Sequence, residues 1–405
     1  MVFMSQILQP TMVSPGSQSE GELVIDISTN NSTTTTTTIS GTNEQQTISM
    51  IIMKRLKQSL NSSLTRFHAG YFRISLSLGG QALLWKTLLG HTVDQNTIRL
   101  VLYVIHPTAL LVLWSLTLFI LILLSLLYIL KCLLHFALVK AEFLHHVGVN
   151  YLYIPWISWL LLLQSSPFVT PKTRSYLVLW LVFAIPVVAL DVKIYGQWFT
   201  KGKRFLSSDA NPTSQLSIVG NLVGAQAAAI MGWKEIAICL FSVGIAHYLV
   251  LFVTLYQRLS GGDRLPAMLR PALFSYFAAP SVASLAWESI AGTFDTSSKM
   301  LFFLSLFLLM SLVFRPALFK RSMIRFNVAW WAYSFPLTVL ALASTEYAQE
   351  VRGGIAHVLM LILIIISVLV SITLAVFTGF NTRMLLPDND PIASLQINPL
   401  PTLST

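Results

Sequence analysis

"RFHAGYFRISLSLGGQALLW", Arg66–Trp85, decides how the rest of the chain is read. Its last seventeen or so residues nearly suffice to cross a bilayer, which takes about 20 apolar residues. Yet Arg73 sits inside the run, at a depth where lipid penalises a charge. The whole chain is as apolar as this stretch: of 405 residues 55% are hydrophobic and only 10% charged. Soluble domains are about one quarter charged, and a soluble chain of this composition would expose large sticky patches. The expected class is an all-α polytopic membrane protein. A soluble helical core is excluded because several apolar runs exceed about 18 residues.

Runs able to span the membrane fall at about 68–89, 101–130, 149–166, 174–192, 213–232, 235–257, 269–291, 300–315, 327–346 and 355–379. With these limits about eighteen of the 26 basic residues flank the side that holds the N-terminus, and about six lie opposite. The positive-inside rule then puts both termini in the cytoplasm. The net charge of +10 belongs to that bias and is no footprint of nucleic acid. The acceptors "NNST" (30–33) and "NSS" (61–63) are therefore expected to stay unglycosylated. Residues 1–50 are polar and contain no secretory signal. Residues 1–65 read as a disordered cytoplasmic tail with a threonine tract, whose hydroxyls a protein kinase can phosphorylate; a solvated tail is the plainer reading. A channel domain over 66–384 and a short cytoplasmic tail over 385–405 complete the division.

Prolines break the spans: Pro155 in "YIPWISW", Pro186 in "FAIPVVALD", Pro280 in "FAAPSVASLAW" and Pro336 in "AYSFPLTVLA". A proline inside a helix kinks it and frees a carbonyl that lipid cannot satisfy, whereas a hydroxyl or a wet cavity can. Ser158, Ser281, Ser284 and Ser334 stand close to three of these breaks, which points to a shared aqueous path. Ionisable groups inside the spans are few. Lys86 is expected to snorkel, Glu288 to be solvated at the interface, and His247 to hydrogen-bond between helices. With no carboxylate ladder across the bilayer, passive conduction is favoured over proton coupling. Cys132 and Cys239 form no framework, and the adjacent His145 and His146 are a weak metal signal. No catalytic motif is present, so neither an enzyme nor a cofactor is expected.

The stretches "KIYGQW" (193–198), "NPTSQLSIVGNLVGA" (211–225), "VGIAHYLVLFVTLYQRL" (243–259), "AAPSVASLAW" (278–287) and "VAWWAYSFPLT" (328–338) carry a specific likeness. Over about 66–390 the chain resembles the plant slow-type (S-type) anion channel family, within the tellurite-resistance/dicarboxylate transporter superfamily. It is most like the short-tailed homologues of the guard-cell channel. The resemblance implies ten transmembrane helices as five helical hairpins, the odd-numbered helices forming an inner ring around a central pore, and three protomers per channel. It implies pore-lining by Gly70, Arg73 and Ser77, helix kinks at the pore at Pro155, Pro280 and Pro336, and a pore gate at Phe335. On depth alone, Phe335 lies nine or so residues past Phe326, near mid-bilayer at about 1.5 Å per residue. A core phenylalanine fits that depth as well as a gate.

In the family the first helix opens with a pattern like FPxGYFG. Here "FHAGYFR" puts His68 at the proline and Arg73 at the second glycine, a pore-facing position. Three consequences are open for Arg73: a charge that attracts anions, a plug or over-tight anion site, or a side chain that snorkels to the cytoplasmic interface. The function implied is a slow-type channel protomer passing chloride and nitrate passively across the plasma membrane, with small inorganic anions, membrane lipids and sister subunits (homotrimer or heterotrimer) as partners. Alternatives are an electrically quiet modulatory subunit of a mixed channel and a proton-linked dicarboxylate transporter.

Overall fold

The computed structural model describes residues 41–90, 107–201, 211–260, 267–320, 322–324 and 326–381, and the structural statements below concern these residues. Residues up to Arg55 form one unit and those from Leu56 a second. The described part of the first unit belongs to a helix, α1, Gly41–Arg66. A disordered tail was expected as far as residue 65. The helix there follows from "MKRLKQSL" (53–60), made almost entirely of strong helix formers. The threonine tract, "NNST" and residues 385–405 lie outside the described residues.

Among its described residues the regular structure of the second unit is all helical. After α1 come α2 (Arg73–Gly90), α3 (Pro107–Leu134), α4 (Phe136–Leu144), α5 (Tyr153–Gln164) and α6 (Arg174–Lys201). They are followed by α7 (Gln215–Ile230), α8 (Lys234–Ser260), α9 (Ser275–Ala291), α10 (Thr296–Val313), α11 (Ser334–Val351) and α12 (Gly354–Phe380). Six stretches are long and apolar enough to cross a membrane: α3, α6, α8, α10, α12 and the segment Val328–Val351 ending with α11. A seventh is Phe136–Leu144 with Gly148–Gln164, if that pair, bent by 103°, is one span. The sequence suggested ten. Four of the expected runs fall outside the six, and the reason is physical: α2, α5, α7 and α9 have 18, 12, 16 and 17 residues, and each is preceded by a separate turn.

Those turns follow one plan. Tight 3₁₀ segments, Ala69–Phe72, Pro212–Ser214, Ala267–Phe274 and Val328–Tyr333, lead directly into α2, α7, α9 and α11. A helix start leaves backbone N–H groups without partners, and a side-chain acceptor in front of it satisfies one. His68 Nδ1 accepts from Gly70 N at 3.0 Å, Asn211 Oδ1 from Thr213 N at 3.0 Å and Asn327 Oδ1 from Ala329 N at 3.0 Å. His145 serves the turn Gly148–Tyr151 before α5 in the same way, accepting from Val147 N and Gly148 N.

This plan revises the expected proline kinks. Pro155 and Pro336 fall in the first turns of α5 and α11, where a missing N–H costs little. Before α11 the change from 3₁₀ turn to α-helix, not proline, marks the break, and before α5 a separate helical turn, Gly148–Tyr151, does. Pro280 does lie inside α9, and the hydroxyls of Ser281 and Ser305 both donate to the Phe277 carbonyl beside it.

Helix packing closes a cycle: α2 on α5, α5 on α7, α7 on α9, α9 on α11 and α11 back on α2. Each cycle member also packs against the helix that follows it, α3, α6, α8, α10 or α12. Tryptophans fasten the layers, Trp114 Nε1 donating to Leu162 O, Trp180 Nε1 to Gly224 O and Trp331 Nε1 to Thr378 Oγ1. The outer helices leave large apolar side chains bare, among them Phe119, Ile185, Val253, Phe307 and Leu369. An apolar surface of this extent needs lipid around it.

Candidate functional site

At the N-terminal ends of the cycle helices, four of them converge on a cavity of about 20 Å³, room for roughly one water-sized molecule. Arg73 and Leu76 come from α2, Thr213 and Leu216 from the α7 start, Ala272 and Ser275 from the α9 start, and Trp331, Phe335 and Pro336 from the α11 start. Three residues singled out in the sequence therefore meet here: Arg73, Phe335 and Pro336. The Phe335 ring is buried, 3% exposed, and packs against α2 at Gly80. A Cβ at residue 80 would stand 3.3 Å from Phe335 Cδ2, so glycine is what admits the ring so close to the helix.

Gly70 and Ser77 are not in this lining. Gly70 lies against the His68 imidazole, where a Cβ would approach the ring to 2.6 Å; glycine makes room for the cap. Ser77 Oγ donates to the Trp331 carbonyl at 3.1 Å and ties α2 to the turn before α11. Above Phe335, Gln81 Nε2 donates to the hydroxyls of Thr338, Ser367 and Ser371, at 2.8–2.9 Å, so the polar groups of α2, α11 and α12 satisfy one another.

Arg73 does not snorkel. Its side chain is 5% exposed, and its Cζ stands 4.5 Å from the centre of the buried Tyr151 ring. An arginine held over an aromatic face is stabilised by the ring quadrupole. Tyr151, in the turn before α5, was not singled out in the sequence. Gly80 was missed too, although the pair "GG" at 79–80 inside an apolar helix hints at close packing.

Further charges missed in the sequence are paired. Lys131 of α3 and Glu142 of α4, both with side chains 0% exposed, form an ion pair at 3.4 Å. Glu142 Oε1 also accepts from Ala69 N at 2.8 Å, and Lys131 donates to the Phe67 carbonyl. This pair fastens the bend between α3 and α4 to the turn that carries Arg73. Asp191 accepts from the Tyr153 hydroxyl at 2.9 Å; His247, expected in the sequence to hydrogen-bond between helices, does so, its Nδ1 bonding Ser217 Oγ at 3.1 Å between α8 and α7. Lys86, expected to snorkel, instead donates to the carbonyls of Gln164 and Ser166 at the end of α5. Glu288, expected to be solvated, is half-buried near the end of α9.

Apolar helices turned outward around a closed cycle of helices that converge on a narrow cavity define a multi-pass membrane protein. The family model of the voltage-dependent anion channel (SLAC1) matches residues 66–379, and the chain belongs to that family. The S-type anion channel SLAH1 of Arabidopsis thaliana is 56% identical over 343 residues, 84% of this chain and 88% of the relative. S-type anion channel SLAH4 of the same plant is 56% identical over 327 residues, 81% of this chain and 87% of that protein. Guard cell S-type anion channel SLAC1 is 43% identical over 335 residues, 82% of this chain but 59% of its own length.

Proposed function

We propose that the chain is a protomer of a slow-type anion channel that passes chloride and nitrate passively across the plasma membrane, with Phe335 as its gate. One observation carries this reading: a cationic side chain and an aromatic ring line the same narrow cavity where four helices of a closed cycle converge. A cation there favours anions, and an apolar ring at a constriction closes it by excluding water. No carboxylate lines the cavity among the described residues, which tells against proton coupling at this point. The cycle, each member with its following helix beside it, supports ten spans arranged as five hairpins around the pore. In this reading residues 66–384 are the channel, residues 1–65 and 385–405 are cytoplasmic tails accessible to a kinase, and three protomers embedded in lipid make the channel, as in the family.

A univalent anion gains about 2.3 kcal/mol per 100 mV on leaving a negative cell, so no other energy source is required. Current recorded from the protein expressed alone tests the function, with the reversal potential following the chloride or nitrate gradient. Uptake that collapses without a pH gradient contradicts it. Arg73 favours a second reading, a quiet subunit that alters a conducting relative, because the family pattern has glycine at that position. Current absent alone, yet changed in a relative by co-expression, selects this second reading.

A further inference from the structure

The other buried ionic side chains described above each have a partner: Lys131 has Glu142, Asp191 has Tyr153 and His247 has Ser217. Arg73 differs. The residue is more than nine-tenths buried, its guanidinium rests on the Tyr151 face, and among the described residues no carboxylate or carbonyl accepts a hydrogen bond from it. A guanidinium remains charged and carries five N–H donors in a rigid planar fork. A ring face attracts the cation but accepts none of those edge donors in line. Burial without acceptors is costly, so the site is short of one acceptor.

The cavity next to the fork has the dimensions for that acceptor. At about 20 Å³ it has room for roughly one water-sized group, and its walls are apolar apart from Arg73, Thr213 and Ser275. Thr213 Oγ1 already donates to Asn211, which leaves the Ser275 hydroxyl as the second donor.

We propose that Arg73 and Ser275 form a saturable binding site for one small monovalent anion beside the Phe335 ring, occupied while the pathway is closed. The glycine of the family pattern offers no such donor. The inference takes from the channel reading only the route by which the anion arrives; the site itself stands on the unsatisfied guanidinium and the cavity.

Equilibrium binding to the purified full-length protein in detergent tests it separately from conduction. Nitrate or chloride replaces gluconate at constant ionic strength while thermal unfolding is followed. A saturable rise in Tm is expected for the wild type, weakened about tenfold or more in Arg73→Gln and several-fold in Ser275→Ala. Arg73→Lys keeps the charge but loses the fork, so its binding persists while the preference for planar nitrate over chloride shrinks. Arg73→Lys also provides the reading if Arg73→Gln does not fold. The proposal is overturned by a wild type without a saturable shift, by an undiminished shift in Arg73→Gln, or by an unchanged nitrate preference in Arg73→Lys. Binding without current would leave the site standing and remove the channel reading; current without binding would do the reverse.

Discussion

Single contacts at the cavity set expectations that a substitution can check. Gly80→Ala puts a methyl 3.3 Å from Phe335 Cδ2, closer than side chains ordinarily pack, so the ring must shift. Basal current or its activation should change while the protein still folds; an unaltered current would mean that the ring position does not control the path. Arg73 was legible in part. Its inward direction followed from the glycine of the family pattern, but Tyr151 beneath it could not be foreseen, since the two lie on different helices far apart in the chain. The Lys131–Glu142 pair was invisible for a similar reason: its members sit on either side of a sharp bend that no periodicity reveals. Glu142→Gln should lower stability by about 3–5 kcal/mol by stranding a buried ammonium, read as thermal unfolding in detergent. A double replacement by apolar residues of similar size should recover most of that loss. A single substitution without effect would show that water reaches the pair.

At the level of the helices, the apolar runs were easy to place and their beginnings were not. A run such as 327–346 appears continuous in the sequence, yet its first third is a 3₁₀ turn capped by Asn327 and only the remainder is α11. That is why Pro336, which looks central in the run, occupies a first turn. The caps were present in the sequence as His68, His145, Asn211 and Asn327, but polar residues before apolar runs also mark ordinary loop ends. Asn327→Ala removes an acceptor from a buried turn and should cost about 1 kcal/mol. Gly70→Ala should cost at least as much, since its methyl displaces the His68 ring that caps the same turn. Thermal unfolding of the two variants checks both; a stable Gly70→Ala would mean that His68 has room to move without loss.

For the whole molecule, composition and run length made the membrane class plain, and the family motifs implied the arrangement of the helices. Neither revealed how narrow the cavity is, because a volume of about 20 Å³ depends on side chains from several helices meeting there. The orientation has its own check: Asn61 of "NSS" is an exposed residue of α1 and should stay unglycosylated when the protein passes through a secretory membrane system. Sugar at Asn61 would invert the topology. The proposed gate is tested most directly by current from Phe335→Ala beside the wild type at equal surface density. The account predicts a larger basal anion current in the variant, as the cavity loses its ring. An identical current in the two would contradict it.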